Sequence, residues 1–396
     1  MVSSIYIAKS AYGGDGLGRL GDGRVVFVPD AFAGESVKAE IVEERRNYVR
    51  ARLVEIEEAS PERTGTGEPP VPGMVYANLT PAGEAAAKES QLREFLGRAR
   101  FDPDLVRRAT PAGAESLNYR NKAVYHFAKQ GGKWAIGYRK EPGHEILDVE
   151  SDPLARPEIN ARLPEIRRSV VALLTQGAES VRRSVERKAD VTVRWSKTSG
   201  VQWWIGEAPQ GVVMKEVTCG KVFEVPAGGF YQVNPVVGEA LARDVVAEFA
   251  RGGADEVLDL YCGVGVFGLS CAPARLTGIE SGRQAVEFAK RNAASQGVAH
   301  ARFFAEQVGR SLRKLRVGER TTVIVDPPRG GMEPNVPKFL AGCRAGRIFY
   351  VSCDPATLVR DLKVLAQSYE IESVRWYDMF PRTARFETFV ALKART

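Results

Sequence analysis

The chain has 396 residues, with 56 Lys and Arg against 49 Asp and Glu, which gives a formal net charge of +7. Its 44% of hydrophobic residues can fill the cores of two or three domains, so a disordered or fibrous protein is excluded, while the modest excess of base permits a polyanionic partner without establishing one. Five cysteines, an odd number with no Cys-x-x-Cys pair, exclude a disulfide framework and a zinc site of that kind. No stretch approaches the roughly 20 apolar residues that cross a bilayer, so we expect a soluble, cytoplasmic protein without a membrane partner.

Residues 1–58 are predicted to form a small β-barrel. Short runs with alternating apolar residues are separated by glycine turns, and the predicted strands cover residues 5–8, 24–28, 35–42 and 48–56. Several short strands joined by such turns are typical of an antiparallel barrel, which in many proteins binds nucleic acid. A barrel that only packs against the rest of the chain is an equally good interpretation of this pattern.

A connecting segment and one helix are predicted between residues 59 and 100. Residues 60–81 are rich in Pro, Gly, Thr and Glu and lack a strong periodic pattern, which indicates a connecting segment. Leu92, Phe95 and Leu96 then recur at helical spacing, which predicts a helix over residues 83–100.

Residues 101–227 are predicted to form a mixed α+β central domain. Strands are predicted over residues 121–127 and 189–195, on either side of a helix over residues 157–177. Several bases, Arg194 among them, lie close to three tryptophans, and bases interleaved with aromatic residues can hold RNA. A solvated strand face above core tryptophans explains the same residues equally well.

Residues 228–396 alternate between helix and strand. The predicted elements include helix 239–250, strand 256–260, strand 276–280, helix 283–295 and strand 321–325. Strands that alternate with helices of this length predict βαβ units and a parallel, Rossmann-like sheet. The chain is therefore assigned to the α/β class, with a small N-terminal barrel and a mixed central domain.

A cofactor site is predicted at the carboxyl edge of this sheet. Gly263 and Gly265 follow the first strand and allow the backbone a tight turn where open parallel sheets bind their ligands. The next strand ends in Glu280, which is placed to accept hydrogen bonds from ribose hydroxyls, and a third ends at Asp326. Asp259 would repel a pyrophosphate and suits an amino group or a sulfonium. The sequence therefore favours S-adenosylmethionine over a redox dinucleotide, whose glycine pattern is also incomplete here.

Cys353 is a candidate nucleophile. It follows a predicted strand over residues 347–351, and Pro355 ends that strand just before a helix predicted over residues 356–367. Because the N-terminal end of a helix favours a thiolate, we expect the pKa of Cys353 to be lowered. Taken alone, a single cysteine is more often a small buried hydrophobic residue.

Five motifs favour the interpretation of Cys353 as a nucleophile, because they occur together and in one order. They are residues 230–234 (FYQVN), 258–265 (LDLYCGVG), 326–329 (DPPR), 350–358 (YVSCDPATL) and 378–383 (DMFPRT). Together they resemble the RNA uracil-5-methyltransferase family. Residues 1–58 are similar to the RNA-binding barrel called the TRAM domain, and residues 119–122 (YRNK) are similar to the start of the family's central domain. The resemblance thus extends over nearly the whole chain, and we expect its catalytic domain to cover residues 228–396.

The resemblance implies a reaction and two catalytic groups. Carbon 5 of uracil is a poor nucleophile, so in this family a thiolate adds to carbon 6 and produces an enolate that can attack a methyl sulfonium. By the resemblance, Cys353 is that nucleophile, and Glu387 removes the proton from carbon 5. Asp326 is implied beside both the cofactor and the target base, and it is counted with the catalytic residues.

The resemblance also implies binding residues. Gln232, Tyr261, Glu280 and Asp326 match family positions that contact S-adenosylmethionine around the glycine loop. Gln232 lies near the target base as well. Phe230 is expected to stack on a uracil turned out of its RNA, since chemistry on the ring face needs an unstacked base. Arg329 is expected either to hold a phosphate or to pair with an acid.

The chain departs from the family at an expected metal site. Many members with a TRAM domain hold an iron–sulfur cluster on four cysteines, but here residues 73–79 replace the cysteine-rich segment and no cysteine precedes Cys219. The sequence therefore predicts no iron–sulfur cluster and no other metal. Arg385 stands where the family usually has His, and Asp354 where Asn is common. These two changes bear on the rate and on the geometry near Glu387.

The sequence thus predicts a monomeric, S-adenosylmethionine-dependent enzyme that makes 5-methyluridine in RNA, with ribosomal RNA favoured over transfer RNA. An alternative is a catalytically silent RNA-binding protein with the same fold, which the presence of Cys353 and Glu387 disfavours. A 5-methylcytosine RNA methyltransferase would typically carry a second cysteine beside the Asp-Pro-Pro turn. An enzyme that methylates an exocyclic amine would carry a turn like Asn-Pro-Pro-Tyr. Neither feature is present.

Overall fold

The computed structural model describes residues 2–67, 70–111, 114–140, 143 and 145–395, so that Glu68 and Pro69 of the predicted connecting segment lie outside the described set. The chain divides into two compact units. The first comprises residues 1–106 and 380–386, and the second comprises residues 107–379 and 387–396. Within the described ranges, no helix combines the length and the apolar character needed to cross a membrane.

A closed five-stranded barrel begins the first unit, as predicted. Its strands are Val2–Ser10 (β1), Gly16–Arg19 (β2), Val25–Val28 (β3), Ser36–Glu44 (β4) and Tyr48–Glu58 (β5). The barrel closes in the order β1-β2-β3-β5-β4, because β1 pairs with both β2 and β4. Alternate residues such as Ile5, Ile7 and Val26 are buried inside it, since successive side chains of a strand face opposite sides. Gly18 is required by this closure, because a Cβ there would lie 2.5 Å from Ile5 Cγ2.

The helix of the first unit runs over Pro81–Arg98 (α1), whereas the sequence predicts residues 83–100. Thr80 caps its start, because the Thr80 hydroxyl accepts a hydrogen bond from the Gly83 amide at 3.0 Å. Pro81 fits the first turn, where no amide donor is needed. Leu92 and Leu96 are buried one turn apart, on the face that their spacing predicts.

A five-stranded antiparallel sheet and two helices begin the second unit, after a short strand at Val106–Arg108 (β6). The elements are Lys122–Gln130 (β7), Lys133–Arg139 (β8), Ile146–Asp148 (β9), Pro157–Gln176 (α2), Glu179–Lys188 (α3), Asp190–Ser196 (β10) and Gly200–Ile205 (β11), and the strand order is β11-β10-β7-β8-β9. Helix α2 buries Ile159, Leu163 and Ile166 at helical spacing, which makes it predictable. The sequence does not predict α3, because Val185 is its only buried side chain.

A two-stranded hairpin follows, formed by Val213–Thr218 (β12) and Lys221–Pro226 (β13). Cys219 and Gly220 connect the strands with φ values of +51° and +73°. Positive φ at both central residues is the type I′ turn, whose twist matches that of the strands it joins. The hairpin leads directly into residues 227–234, which carry the first catalytic-domain motif.

An eight-stranded sheet, covered by helices, forms the rest of the second unit. Its strands after β6 are Glu256–Leu260 (β14), Arg275–Glu280 (β15), Ala301–Ala305 (β16), Thr321–Val325 (β17), Arg347–Ser352 (β18), Tyr369–Tyr377 (β19) and Glu387–Ala394 (β20). Its helices are Pro235–Arg251 (α4), Val266–Cys271 (α5), Arg283–Ser295 (α6), Val308–Ser311 (α7), Asn335–Gly342 (α8) and Pro355–Leu365 (α9), and 3-10 turns occur at Pro103–Leu105 and Leu312–Lys314.

The strand order of this sheet is β16-β15-β14-β17-β18-β20-β19-β6. Strands β14 to β18 are parallel to one another, as the alternation of helix and strand predicts, whereas β20 runs antiparallel to both β18 and β19. The chain moves outward from β14 through β15 to β16 and then crosses back to β17. Open α/β sheets bind ligands in the crevice where the strand order reverses in this way, here between β14 and β17. The predicted fold class is confirmed.

Candidate active site

Cys353 and Glu387 are brought together by the pairing of β18 with β20. The two strands are antiparallel, and Ser352 pairs with Thr388. Cys353 follows Ser352 and Glu387 precedes Thr388, so the next step of the same register sets these two residues opposite each other. Glu387 is buried, with 6% of its surface exposed.

Asp326 reaches the same place from the parallel strand β17. Val325 at the end of β17 pairs with Tyr350 in β18 on one side and with Leu260 in β14 on the other. Asp326 therefore extends from the carboxyl edge of the sheet between the cysteine strand and the strand that leads into the glycine loop. All three predicted catalytic residues meet at one edge of the sheet.

The pKa of the Cys353 thiol is not lowered, contrary to the expectation from sequence. Burial first, and then the carboxylates of Glu387 and Asp326, raise its pKa to about 12, and Arg329 acts in the opposite direction. Removal of a proton from a partly buried thiol beside acids places like charges together with little water to screen them.

The start of α9 explains why the helix does not offset this effect. Asp354 caps the helix, and its Oδ1 accepts hydrogen bonds from the amides of Ala356 at 3.0 Å and Thr357 at 3.2 Å. A carboxylate therefore takes the first-turn amides that could otherwise stabilise a thiolate. The aspartate at this position, a departure from the family pattern, thus has a defined structural task.

The two carboxyl groups beside the thiol also have raised pKa values. Burial raises the pKa of Asp326 to about 7. Burial, and then the charge of Asp326, raise the pKa of Glu387 well above its usual range. Oε2 of Glu387 is buried and has no hydrogen-bond partner. Acids buried without a cation and with shifted pKa values are typical of sites that move protons.

The glycine loop after β14 has an unusual backbone. Gly263 and Gly265 have φ values of +54° and +87°, which glycine adopts freely, and Tyr261 also has a positive φ, of +63°. Positive φ in a bulky residue is uncommon and costs about 1–3 kcal/mol, so it indicates a position fixed by its surroundings. The Tyr261 hydroxyl donates a hydrogen bond to the Glu333 carboxylate. The Gly263 amide donates to Oε2 of Glu280 at 3.3 Å, so β15 contributes to the same loop.

A cavity opens beside this loop, at the edge of the sheet where open α/β folds bind their ligands. Of the residues predicted from sequence, Phe230, Gln232, Tyr261, Gly263 and Asp326 line it. Glu280 lies beside it through the Gly263 amide, and Gly265 lies at the start of α5, outside the lining. The lining also includes Thr218 and Glu239, which belong to no motif, and Tyr231, which lies in the 230–234 motif but was given no role from sequence.

Asp259 lies behind the glycine loop and does not line the cavity. Its Oδ2 accepts a hydrogen bond from the Gly268 amide in α5 at 2.9 Å, and its Oδ1 is buried without a partner. Burial raises the pKa of Asp259 to about 7, against the effect of that amide. Asp259 therefore fixes the loop against the following helix, and the direct ligand preference inferred for it from sequence has no support in its position.

The turn after β17 presents Arg329 to solvent. The Gly331 amide closes this turn by donating to the Pro328 carbonyl at 2.8 Å. Asp361 in α9 holds its far end, because Oδ2 of Asp361 accepts from the Met332 amide at 3.0 Å. Asp361 also belongs to no motif, and only this contact with the turn identifies its role.

The cysteines are free, and the described part of the chain contains no group of three or more His, Cys, Asp or Glu side chains that could hold a metal ion. The absence of an iron–sulfur cluster stays a prediction. The cavity suits S-adenosylmethionine in its chemistry. The backbone turn at Gly263 and the acid Asp326 line it, and the Glu280 carboxylate at the end of β15 lies beside that turn, so that an acid for a positive charge and an acceptor for hydroxyl groups are close together.

Comparison with known proteins matches two segments to families. Residues 216–395 match tRNA (Uracil-5-)-methyltransferase, and residues 5–67 match the TRAM domain. An uncharacterized RNA methyltransferase of Halalkalibacterium halodurans is 29% identical over 100% of this chain and 97% of its own length. One of Clostridium acetobutylicum is 28% identical over 98% of this chain and 96% of its own length.

The fold is similar to that of Pyrococcus abyssi tRNA (uracil-54, C5)-methyltransferase, whose crystal structure contains S-adenosyl-L-homocysteine. The TM-score is 0.73, the sequence identity is 23%, and the match covers 98% of this chain and 99% of that chain. This likeness concerns the fold, from the barrel to the last strands.

Proposed function

This chain belongs to the RNA uracil-5-methyltransferase family, contains a TRAM domain and uses S-adenosylmethionine, and from that premise we propose that it methylates carbon 5 of a uridine in ribosomal RNA with Cys353 as the nucleophile and Glu387 as the base. The pairing of β18 with β20 carries this proposal, because it brings the thiol and a buried acid together beside Asp326. Neither group would be held there by a merely structural need, since a buried acid without a cation destabilises the fold.

In the proposed reaction, the partly exposed thiol of Cys353 gives its proton to water, and its sulfur forms a bond to carbon 6 of the uracil. The electron pair of the ring double bond moves into the carbonyl at carbon 4 and makes carbon 5 nucleophilic. When bound, S-adenosylmethionine supplies a methyl group on a positively charged sulfur. Carbon 5 would take that methyl group, and the electron pair of the broken methyl–sulfur bond would stay on the cofactor sulfur. The carboxylate of Glu387 would then accept the proton on carbon 5. The electron pair of that carbon–hydrogen bond would re-form the ring double bond as the bond between carbon 6 and the Cys353 sulfur breaks and releases the thiolate.

The high pKa of the free thiol indicates that the substrates prepare the site. A positive sulfonium beside Asp326 would stabilise carboxylates and a thiolate at once, because opposite charge favours the charged form of each acid. We propose that Gln232, Tyr261, Glu280 and Asp326 hold the cofactor around the turn that Gly263 and Gly265 permit. The protein would thus keep its nucleophile protonated until the cofactor is bound.

Phe230 is proposed to stack on the target base. Its side chain is 73% exposed at the cavity rim, although a phenyl ring gains from burial, so it is available for an aromatic partner. Gln232, two residues further, is proposed to contact both base and cofactor. Arg329 is proposed to hold an RNA phosphate, because its side chain is exposed on a fixed turn beside Cys353.

We further propose a division of labour along the chain. Residues 1–58 and 101–227 would select the RNA, residues 59–100 would connect them, and residues 228–396 would perform the chemistry. Ribosomal RNA is proposed over transfer RNA because of the TRAM domain. Nucleoside mass spectrometry of both RNA classes from a deletion strain tests this choice. Loss of 5-methyluridine from transfer RNA alone would contradict it.

RNA with 5-fluorouridine at the target position tests the chemistry. The expected result is a stable covalent complex in the presence of S-adenosylmethionine, because fluorine cannot leave carbon 5 as a proton. Cys353→Ala should abolish the complex, whereas Cys343→Ala, a control at another partly exposed thiol, should form it normally. A complex formed by Cys353→Ala would show that the nucleophile is assigned wrongly. Binding of RNA without methylation by the unmodified protein would favour the silent RNA-binding alternative.

A further inference from the structure

Arg194 is buried, although the sequence places it among basic residues that could contact RNA. It lies in β10, with 1% of its surface exposed. Its Nη1 donates to the carbonyl oxygens of Pro226 at 3.3 Å, Ala227 at 3.0 Å and Gly229 at 2.8 Å. Its Nη2 donates to Oε1 of Glu216 at 3.3 Å, an acid that is itself buried. A guanidinium in this position binds the backbone of residues 226–229 and is withheld from solvent.

Asn121, the third residue of the YRNK motif, holds the other end of the same segment. Its backbone amide donates to the Val233 carbonyl at 2.9 Å, and its Nδ2 donates to the Gln232 carbonyl at 3.1 Å. Its own carbonyl accepts from the Trp195 amide at 2.8 Å, one residue beyond Arg194. Asn121 is 2% exposed. The motif thus has a structural task that its sequence does not reveal.

The two anchors enclose the residues that reach the active site. Phe230 and Gln232 lie between them, in a segment that belongs to no helix or strand. Such a segment has few intrinsic constraints, so hydrogen bonds from outside it decide where its side chains point. Bonds from a charged, buried donor are the strongest of these.

From this geometry we propose that Arg194 and Asn121 are positioning residues, which fix residues 226–233 so that Phe230 meets the RNA base while Gln232 faces the cofactor. The inference rests on the proposed function for its RNA part. Its cofactor part stands on the cavity alone, because Gln232 lines that cavity. Residues 226–233 would therefore connect RNA binding and cofactor binding to the five-stranded sheet that carries Arg194. Substitution of Arg194 or Asn121 should weaken both kinds of binding.

The direct alternative is that Arg194 contacts an RNA phosphate. Arg194→Lys separates the two interpretations, because lysine keeps the positive charge but lacks the planar fork that reaches three carbonyls and a carboxylate. A phosphate contact should be largely preserved in this variant. If Arg194 positions residues 226–233, Arg194→Lys should largely lose this function, and the binding of the cofactor should weaken together with that of RNA.

The experiment compares Arg194→Lys and Asn121→Ala with the unmodified protein. Calorimetry measures the Kd for S-adenosylhomocysteine, and initial rates measure KM for RNA and kcat. We expect both Kd and KM to rise about tenfold in each variant, the size associated with loss of a buried hydrogen bond. Arg320→Lys is the matched control: Arg320 pairs with Asp255 at 2.7 Å but is exposed and precedes β17 at the opposite edge of the sheet. It should leave both constants unchanged.

Two results would overturn the proposal. If KM for RNA rises while the Kd for S-adenosylhomocysteine stays normal, Arg194 is an RNA contact. If Arg194→Lys behaves like the unmodified protein in both assays, its charge alone is sufficient and no positioning is involved. Asn121→Ala provides the same test should the Arg194 variant not fold, and the rate of Cys353 alkylation checks that the remainder of the site is intact.

Failure of the proposed function can be distinguished from failure of this inference. If the unmodified protein methylates no RNA while the two variants bind S-adenosylhomocysteine about tenfold more weakly, the function is wrong and the positioning role stands. If the unmodified protein makes 5-methyluridine and the variants are normal, only the inference is wrong.

Discussion

Two buried glutamates in the two units have opposite environments. In the first unit, Glu35 is fully buried and accepts hydrogen bonds from Arg63 at 2.6 and 2.8 Å and from the Phe32 amide at 2.8 Å. Its pKa is lowered, because these donors outweigh the effect of burial. In the second unit, Glu387 has a buried oxygen without any partner, and its pKa is raised well above the usual range.

The difference indicates how the same residue type can serve stability in one place and, in the proposed reaction, chemistry in another. A buried carboxylate that is surrounded by donors stays charged and holds neighbouring segments together. Glu35 does this for residues 30–65, since Arg63 also donates to the carbonyls of Asp30 at 2.7 Å and Gly65 at 2.8 Å. A buried carboxyl without donors can exchange a proton easily, which Glu387 needs in the proposed reaction.

The sharpest test of this comparison is Glu387→Gln. Since an amide cannot accept the proton from carbon 5, we expect 5-methyluridine formation to fall by about a thousandfold, within the range for loss of a general base. A covalent protein–RNA complex should accumulate and be visible by denaturing electrophoresis. Glu370→Gln, at an exposed position of β19, should behave normally. Normal turnover by Glu387→Gln would assign the base elsewhere.

The second test removes Arg63, the cation that pairs with the buried Glu35. Arg63→Met leaves Glu35 buried without its cation, and we expect the free energy of unfolding to fall by about 3 kcal/mol in urea titrations at pH 7. Arg52→Met removes an ion pair with Glu40 that is exposed, so its effect should stay within about 0.5 kcal/mol. If the free energy of unfolding falls equally in the two variants, burial does not determine how much the ion pair between Arg63 and Glu35 contributes to stability.

The third test concerns pH and Asp326, whose pKa is raised to about 7 by burial. The folded state then binds more protons than the unfolded state between the ordinary pKa of an aspartate and 7, so stability falls as pH rises through that window. Asp326→Asn removes this cost. We expect it to raise the free energy of unfolding by about 2 kcal/mol at pH 8 and by clearly less at pH 5. A gain that is the same at both pH values would show that the Asp326 carboxyl is not the cause.

Much of the catalytic sheet is predictable because its signals are local. Strand β14, strand β17 and helix α6 have the bounds that the sequence predicts, since each is a short apolar run or a helical repeat between clear breaks. The positions of Cys353 and Asp326 at the carboxyl edge follow from the same pattern. The sequence does not predict α3, with one buried side chain, because nothing periodic distinguishes it from a solvated loop.

Other residues were assigned wrongly or missed because their partners are distant in sequence. The pKa of Cys353 depends on Glu387, which lies in the next strand of the sheet but far along the chain. From sequence, Arg194 is predicted to be a surface base, but in the structure it donates hydrogen bonds to carbonyl oxygens of residues 226–229. From sequence, Asp259 is predicted to contact the ligand, but in the structure its carboxylate accepts a hydrogen bond from the Gly268 amide.

The sequence by itself determined the fold class, the glycine loop, the type of cofactor and a cysteine at the end of a strand, because each depends on residues close together in the chain. The tertiary structure alone decided that β20 returns antiparallel beside β18, and with it that a glutamate faces the thiol. It also decided which buried charges find partners. Burial and electrostatic interaction act through space between distant segments, so their outcome exists only in the folded chain.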